Sequence, residues 1–147
     1  MSLRDWEQRN KWLVAHRATR EEISEIIAVG DRDLTDSRVA GLSADTRLAT
    51  AYGAALQFAT AALAAAGYRP ARGESHHYRI IQSLPLTLGW DADRVEILDK
   101  FRKKRNVSSY ERAGTVSDRD AGRMQQLAEG LRADLLGWLR EHHAGLL

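Results

Sequence analysis

Apolar residues recur along this chain at intervals of three and four, the spacing that puts them on one face of an α-helix. Ile23, Ile26, Ile27, Gly30 and Leu34 follow Thr19-Arg20-Glu21-Glu22, a hydroxyl cap with a glutamate three residues on. The pattern predicts a helix running to about Ala40, with Gly41 as its stop. Ser43 is positioned to cap a second helix over Ala44–Ala66, stopped by Gly67. There Leu48, Tyr52, Ala55, Leu56, Ala59, Leu63 and Ala66 form one stripe, and further alanines widen it around the cylinder. A helix apolar on most sides is normally buried on most sides, so this one is read as the centre of the fold.

The loop Tyr68-Arg69-Pro70-Ala71-Arg72-Gly73 precedes a third helix beginning near Glu74. That helix carries His77, Ile80, Ile81, Leu84 and Leu88 on one face, is kinked or broken at Pro85, and ends at Gly89. Asp91 caps a fourth helix with the stripe Val95, Leu98, Phe101. Ser117 and Asp120 open a last helix, whose face is Met124, Leu127, Ala128, Leu131, Leu135, Trp138 and Leu139. Residues 1–18, with Trp6, Trp12 and Leu13 among charges, form a short helix or an arm packed on the bundle, or else a partner-binding segment. The expectation is one all-α domain over residues 1–147, an up-and-down bundle of about five helices with short connections.

Composition agrees: two prolines and abundant alanine and leucine favour helices over a sandwich or barrel. The absence of cysteine excludes disulfides, thiolate catalysis and cysteine-based zinc sites. A net charge of only +2 means that any nucleic-acid affinity must come from a local patch. The first twenty residues are too charged for a signal peptide, and no apolar run suggests a membrane span, so a cytoplasmic protein is expected.

Candidate chemistry concentrates in Lys100-Phe101-Arg102-Lys103-Lys104-Arg105-Asn106, with five cations in six positions, and in Tyr110 beyond it. Charge runs are usually solvated faces. Arg105 differs, because it falls where the stripe of the fourth helix calls for another apolar residue. A cation on a buried side needs a partner or a wet interface. Asn106 and Tyr110, four apart, share a face if the helix continues, and an arginine there is suited to a bidentate grip on phosphate. Arg102, Lys103, Lys104 and His77 are the accompanying candidates for RNA contact. Arg69, Arg72 and Arg79 offer a weaker small-molecule or nucleotide alternative. His76-His77 lacks the partners of a metal site, and no phosphate-binding glycine loop is present, so no metal and no cofactor are expected.

Arg105-Asn106-x-x-x-Tyr110, late on the penultimate helix of a small all-helical bundle, resembles the HEPN superfamily. Its signature is an arginine, a polar residue, three variable residues and a histidine. The resemblance implies metal-independent RNA cleavage in a cleft between two copies of the chain. Arg105 would steady the scissile phosphate, and Asn106 would hold the polar position. It also implies a homodimer, toxin-like action and, in some members, a small nucleotidyltransferase partner. Other members have lost catalysis and serve as binding modules. Tyr110 stands at the histidine position, and this is the departure from the pattern. Histidine titrates near neutrality and tyrosine ordinarily near 10, so Tyr110 does not simply replace a general base, and its presence argues for reduced or lost activity. His76 or His77 entering from the third helix is one remedy. The rival expectation is a non-catalytic dimeric helical protein-interaction module, in which Arg105, Asn106 and Tyr110 form a structural network.

Overall fold

The computed structural model of the chain describes residues 2–9, 11–71 and 76–147. In order these form α1 (Leu3–Arg9), β1 (Leu13–Ala15), α2 (Arg20–Asp36), α3 (Ala44–Ala65), β2 (Tyr68–Pro70), α4 (His77–Gln82), α5 (Leu84–Thr87), α6 (Ala92–Tyr110) and α7 (Asp118–His142), with a 3₁₀ turn at Ala144–Leu146. The fold is predominantly helical and built around α3. Its alanines let α2, α6 and α7 approach closely, and Leu48, Ala51, Ala55, Phe58, Ala62 and Leu63 are fully buried. By length and composition α3 would be able to cross a membrane, but 67% of its most apolar stretch is buried inside the bundle.

All four expected N-caps form. The side chains of Thr19, Ser43, Asp91 and Ser117 accept from the backbone N–H of Glu22, Thr46, Arg94 and Asp120 at 3.1, 3.1, 2.8 and 3.0 Å. Each satisfies a donor that the first turn leaves unpaired. Glu22 does not return to the cap as a capping box would. Its carboxylate takes His16 Nε2 instead, at 2.7 Å, which gives His16 a role that the sequence left blank.

Gly30 sets how closely α2 meets α3. A Cβ at this position would stand 2.6 Å from Phe58 Cε1, closer than real Cβ contacts come. Ion pairs lace the outer surfaces. Arg132 of α7 holds Asp31 of α2 at 2.6 Å, and Arg38 reaches Glu129. The charged face of α2 is therefore partly engaged with α7.

Two features differ from expectation and a third follows it. Helix α2 ends at Asp36 rather than near Ala40, because Gln125 of α7 donates to the carbonyl of Ser37 at 2.8 Å while the buried Ser37 hydroxyl donates to Leu34 O at 2.7 Å. Gly41 lies beyond that end, in a left-handed turn with φ of 88°. Secondly, residues read as arm and loop pair as a two-stranded antiparallel sheet, Leu13 opposite Pro70 and Ala15 opposite Tyr68. Proline is tolerated because the sheet has only edges. As expected, Pro85 breaks the third helix into α4 and α5, sitting in the first turn of α5, where its missing N–H costs nothing. The expected helix start near Glu74, with Arg72 and Gly73, lies outside the described residues, as do Met1 and Asn10.

Candidate functional site

Helix α6 carries the basic cluster, and its packing sorts the cations. Val95, Leu98 and Phe101 are buried against α3, and Arg105 continues their stripe. Lys100 pairs with Glu96 at 3.4 Å. Asp99, only 8% exposed, takes Arg102 at 2.7 Å and Lys103 at 3.6 Å. Lys104 crosses to Asp120 at the start of α7, at 2.6 Å, and its hydrogen bond holds that carboxyl below the ordinary range. Among the described residues, Arg105 is the one member of the cluster without a carboxylate partner.

Arg105 lies between two aromatic rings. Its guanidinium carbon is 5.8 Å from the Tyr52 ring centre and 5.5 Å from that of Tyr110, within cation–π range. One terminal nitrogen donates to Asn106 Oδ1 at a long 3.3 Å, and Nε is buried with no hydrogen-bond partner among the described residues. The arginine opens onto a cavity of about 490 Å³ lined by His77, Tyr78, Arg102, Arg105, Asn106, Tyr110 and Glu111. Arg102 enters from one side with its guanidinium 5.4 Å from the Tyr78 ring.

His77 comes to this cavity from the first turn of α4. Its Nδ1 lies 3.4 Å from the hydroxyl of Tyr52, whose side chain is buried in α3. Burial is the larger influence on both groups. It pushes the Tyr52 phenol up to about 12, against a smaller pull from Arg102 and Arg105. It pushes the His77 imidazole down, and the cations Arg105 and Arg102 push it further the same way. His77 is therefore neutral over a wider range of pH than a free histidine.

The candidates from sequence divide accordingly. Arg105, Asn106, Tyr110, Arg102 and His77 meet in one cavity. Lys103 and Lys104 do not line it: the first points to Asp99 and solvent, the second to α7. Adjacent histidines part company, for His76 is buried against Trp12, ring centres 5.6 Å apart. His143 packs on Trp138 at 4.6 Å, with its imidazole pushed down by burial and by His142. Among the described residues no three His, Asp or Glu side chains are grouped to hold a metal ion. Tyr52, Tyr78 and Glu111 were not anticipated. For Tyr52 a signal existed, a hydroxyl on an alanine-rich buried stripe that must find a partner.

The end of α6 that bears the site is held by contacts just beyond it. Gly114 N–H donates to Asp45 Oδ2 at 2.7 Å, and Arg47 pairs with Asp118 at 2.7 Å. Both tie the α6–α7 connection to the first turns of α3. No protein-family model matches the chain, and no curated protein matches it either.

Proposed function

We propose that this chain is an HEPN-like RNA-binding protein, which grips a backbone phosphate at Arg105 and cleaves the strand there without metal. The observation that carries the reading is the pairing pattern on α6. Four neighbouring cations are matched by carboxylates, whereas Arg105 has none among the described residues and faces a cavity with a second arginine, Arg102, beside it. Positive charge left without a carboxylate in a partly desolvated recess favours an anion. In such a grip the 2′-hydroxyl oxygen attacks the adjacent phosphorus, the bond to the 5′-oxygen breaks, and Arg105 balances the extra negative charge. The proton of the 2′-hydroxyl leaves to water and the 5′-oxygen gains one. Tyr110 is 74% exposed at the last turn of the helix and serves as a contact rather than a base. A second copy of the chain, bringing a second Arg105 to the same cleft, completes the proposed site.

Cleavage of end-labelled single-stranded RNA in the presence of a chelator tests this reading. The wild-type protein should cut and Arg105→Ala should not, with the thermal unfolding of the two closely similar. Equal cleavage by both would remove Arg105 from the site. A second reading, a non-catalytic dimeric interaction module, is favoured by the exposure of Tyr78 (51%) and Tyr110 (74%) at the cavity mouth. It predicts no cleavage by the wild type, and a change from dimer to monomer by light scattering in Tyr110→Ala.

A further inference from the structure

His77 is the titratable group of this cavity whose surroundings specify a chemical state. The Tyr52 hydroxyl sits among the core residues of α3, and among the described residues its hydrogen-bond partner is His77 Nδ1, 3.4 Å away. A buried O–H left without an acceptor is costly, so the phenol donates and Nδ1 accepts. Neutral imidazole carries one proton, which must then lie on Nε2. That nitrogen bonds to no described residue, and His77 lines the cavity. Protonating the ring would put a hydrogen on Nδ1 and reverse the bond, leaving the phenol proton without its acceptor.

We infer that His77 serves the cavity as a neutral hydrogen-bond donor through Nε2–H, with Tyr52 as the positioning residue that fixes this tautomer, so that a phosphodiester oxygen is held jointly by Arg105 and an uncharged imidazole. The inference rests on the RNA reading above for its ligand and on the Tyr52–His77 geometry for its chemistry. The groups that face His77 agree with it. From α3, among the described residues, comes the phenol of Tyr52. From α6 and its C-terminal cap come Arg102, Arg105, Tyr110 and Glu111, and Asp99 is occupied by Arg102 and Lys103. Two arginines oppose a third positive charge, and burial adds to their effect. A neutral donor also gives a pocket whose grip is steady across neutral pH, unlike one that depends on imidazolium.

The role of donor separates cleanly from the role of base, because glutamine donates N–H from a comparable position but does not titrate. Two measurements test the inference. The first is ¹⁵N NMR of the histidine side chains in the ligand-free protein. Near neutral pH, His77 should read as neutral with its proton on Nε2, and Tyr52→Phe should populate both tautomers and raise the midpoint of its titration. A proton on Nδ1 in the wild type would overturn the tautomer assignment. The second is binding of a fluorescent single-stranded RNA oligonucleotide at about pH 6 and about pH 8. His77→Gln should keep the wild-type affinity within about twofold and His77→Ala should weaken it roughly tenfold, the loss of one charge-assisted hydrogen bond. Equal weakening in both variants would overturn the donor role. Failure of the wild type to bind RNA would overturn the RNA reading, while the NMR spectra would still decide the pairing of Tyr52 with His77 independently.

Discussion

Replacing Arg105 by methionine distinguishes a residue kept for a ligand from one kept for the fold. Methionine copies the length of the arginine stem and has similar helix propensity. The substitution removes a buried Nε that has no partner among the described residues, and an unsatisfied buried donor costs about 1–3 kcal/mol. It also removes two cation–π contacts, to Tyr52 and Tyr110, of about 0.5–1 kcal/mol each at partly exposed positions. The long bond to Asn106 adds about 0.5 kcal/mol to the loss. These effects nearly cancel, and the expected change lies within about 1.5 kcal/mol of zero in either direction. For a chain of this size that is a shift in Tm of at most roughly 6 °C. An arginine at the centre of a buried ionic network would behave otherwise, since breaking such a pair costs about 3–5 kcal/mol. Thermal unfolding followed by circular dichroism reads the difference. A fall in Tm of more than about 8 °C, equivalent to at least 2 kcal/mol, would refute the reasoning and make Arg105 a structural residue.

Gly30→Ala should lower stability even though alanine is the better helix former by about 1 kcal/mol. Its Cβ would meet the ring of Phe58 at 2.6 Å, and overpacking of about 1–3 kcal/mol outweighs the gain; a raised Tm would mean that the ring yields freely. Stability should also fall as pH drops below the ordinary histidine value of 6.5, because folding depresses the pKa of both His77 and His143. In that window the unfolded chain binds protons that the folded chain refuses, so stability rises with pH and is complete above it. Urea unfolding at several pH values should give a shallower acid decline for His77→Gln than for the wild type, and identical slopes would contradict the burial of His77.

The parts of the fold that local chemistry specifies were legible in the sequence. A hydroxyl or carboxylate three residues ahead of a backbone N–H needs nothing distant, and Thr19, Ser43, Asp91 and Ser117 all cap as expected. The apolar stripe of α6 likewise marks Arg105 as out of place from helical spacing alone. What stayed hidden depends on residues far apart in the chain. Helix α2 stops early because Gln125, 88 positions away, takes the carbonyl of Ser37. The pairing of Leu13 with Pro70 joins segments whose composition suggests no strand. In the candidate site, the approach of Tyr52 to His77 spans 25 positions and two helices, so no spacing rule within one element reports it. Sequence adjacency is likewise no guide within the basic run: Lys103 and Lys104 neighbour Arg105 in sequence, yet they pair with carboxylates on α6 and α7 and do not line the cavity.

The central claim is that Arg105 is held ready for a phosphate of RNA. Titration of a fluorescent single-stranded RNA oligonucleotide, in a chelating buffer of moderate salt, tests it most directly. The wild-type protein should bind, and Arg105→Ala should bind at least tenfold more weakly, a loss of about 1.4 kcal/mol or more, with its Tm little changed. Undiminished binding by Arg105→Ala would contradict the account.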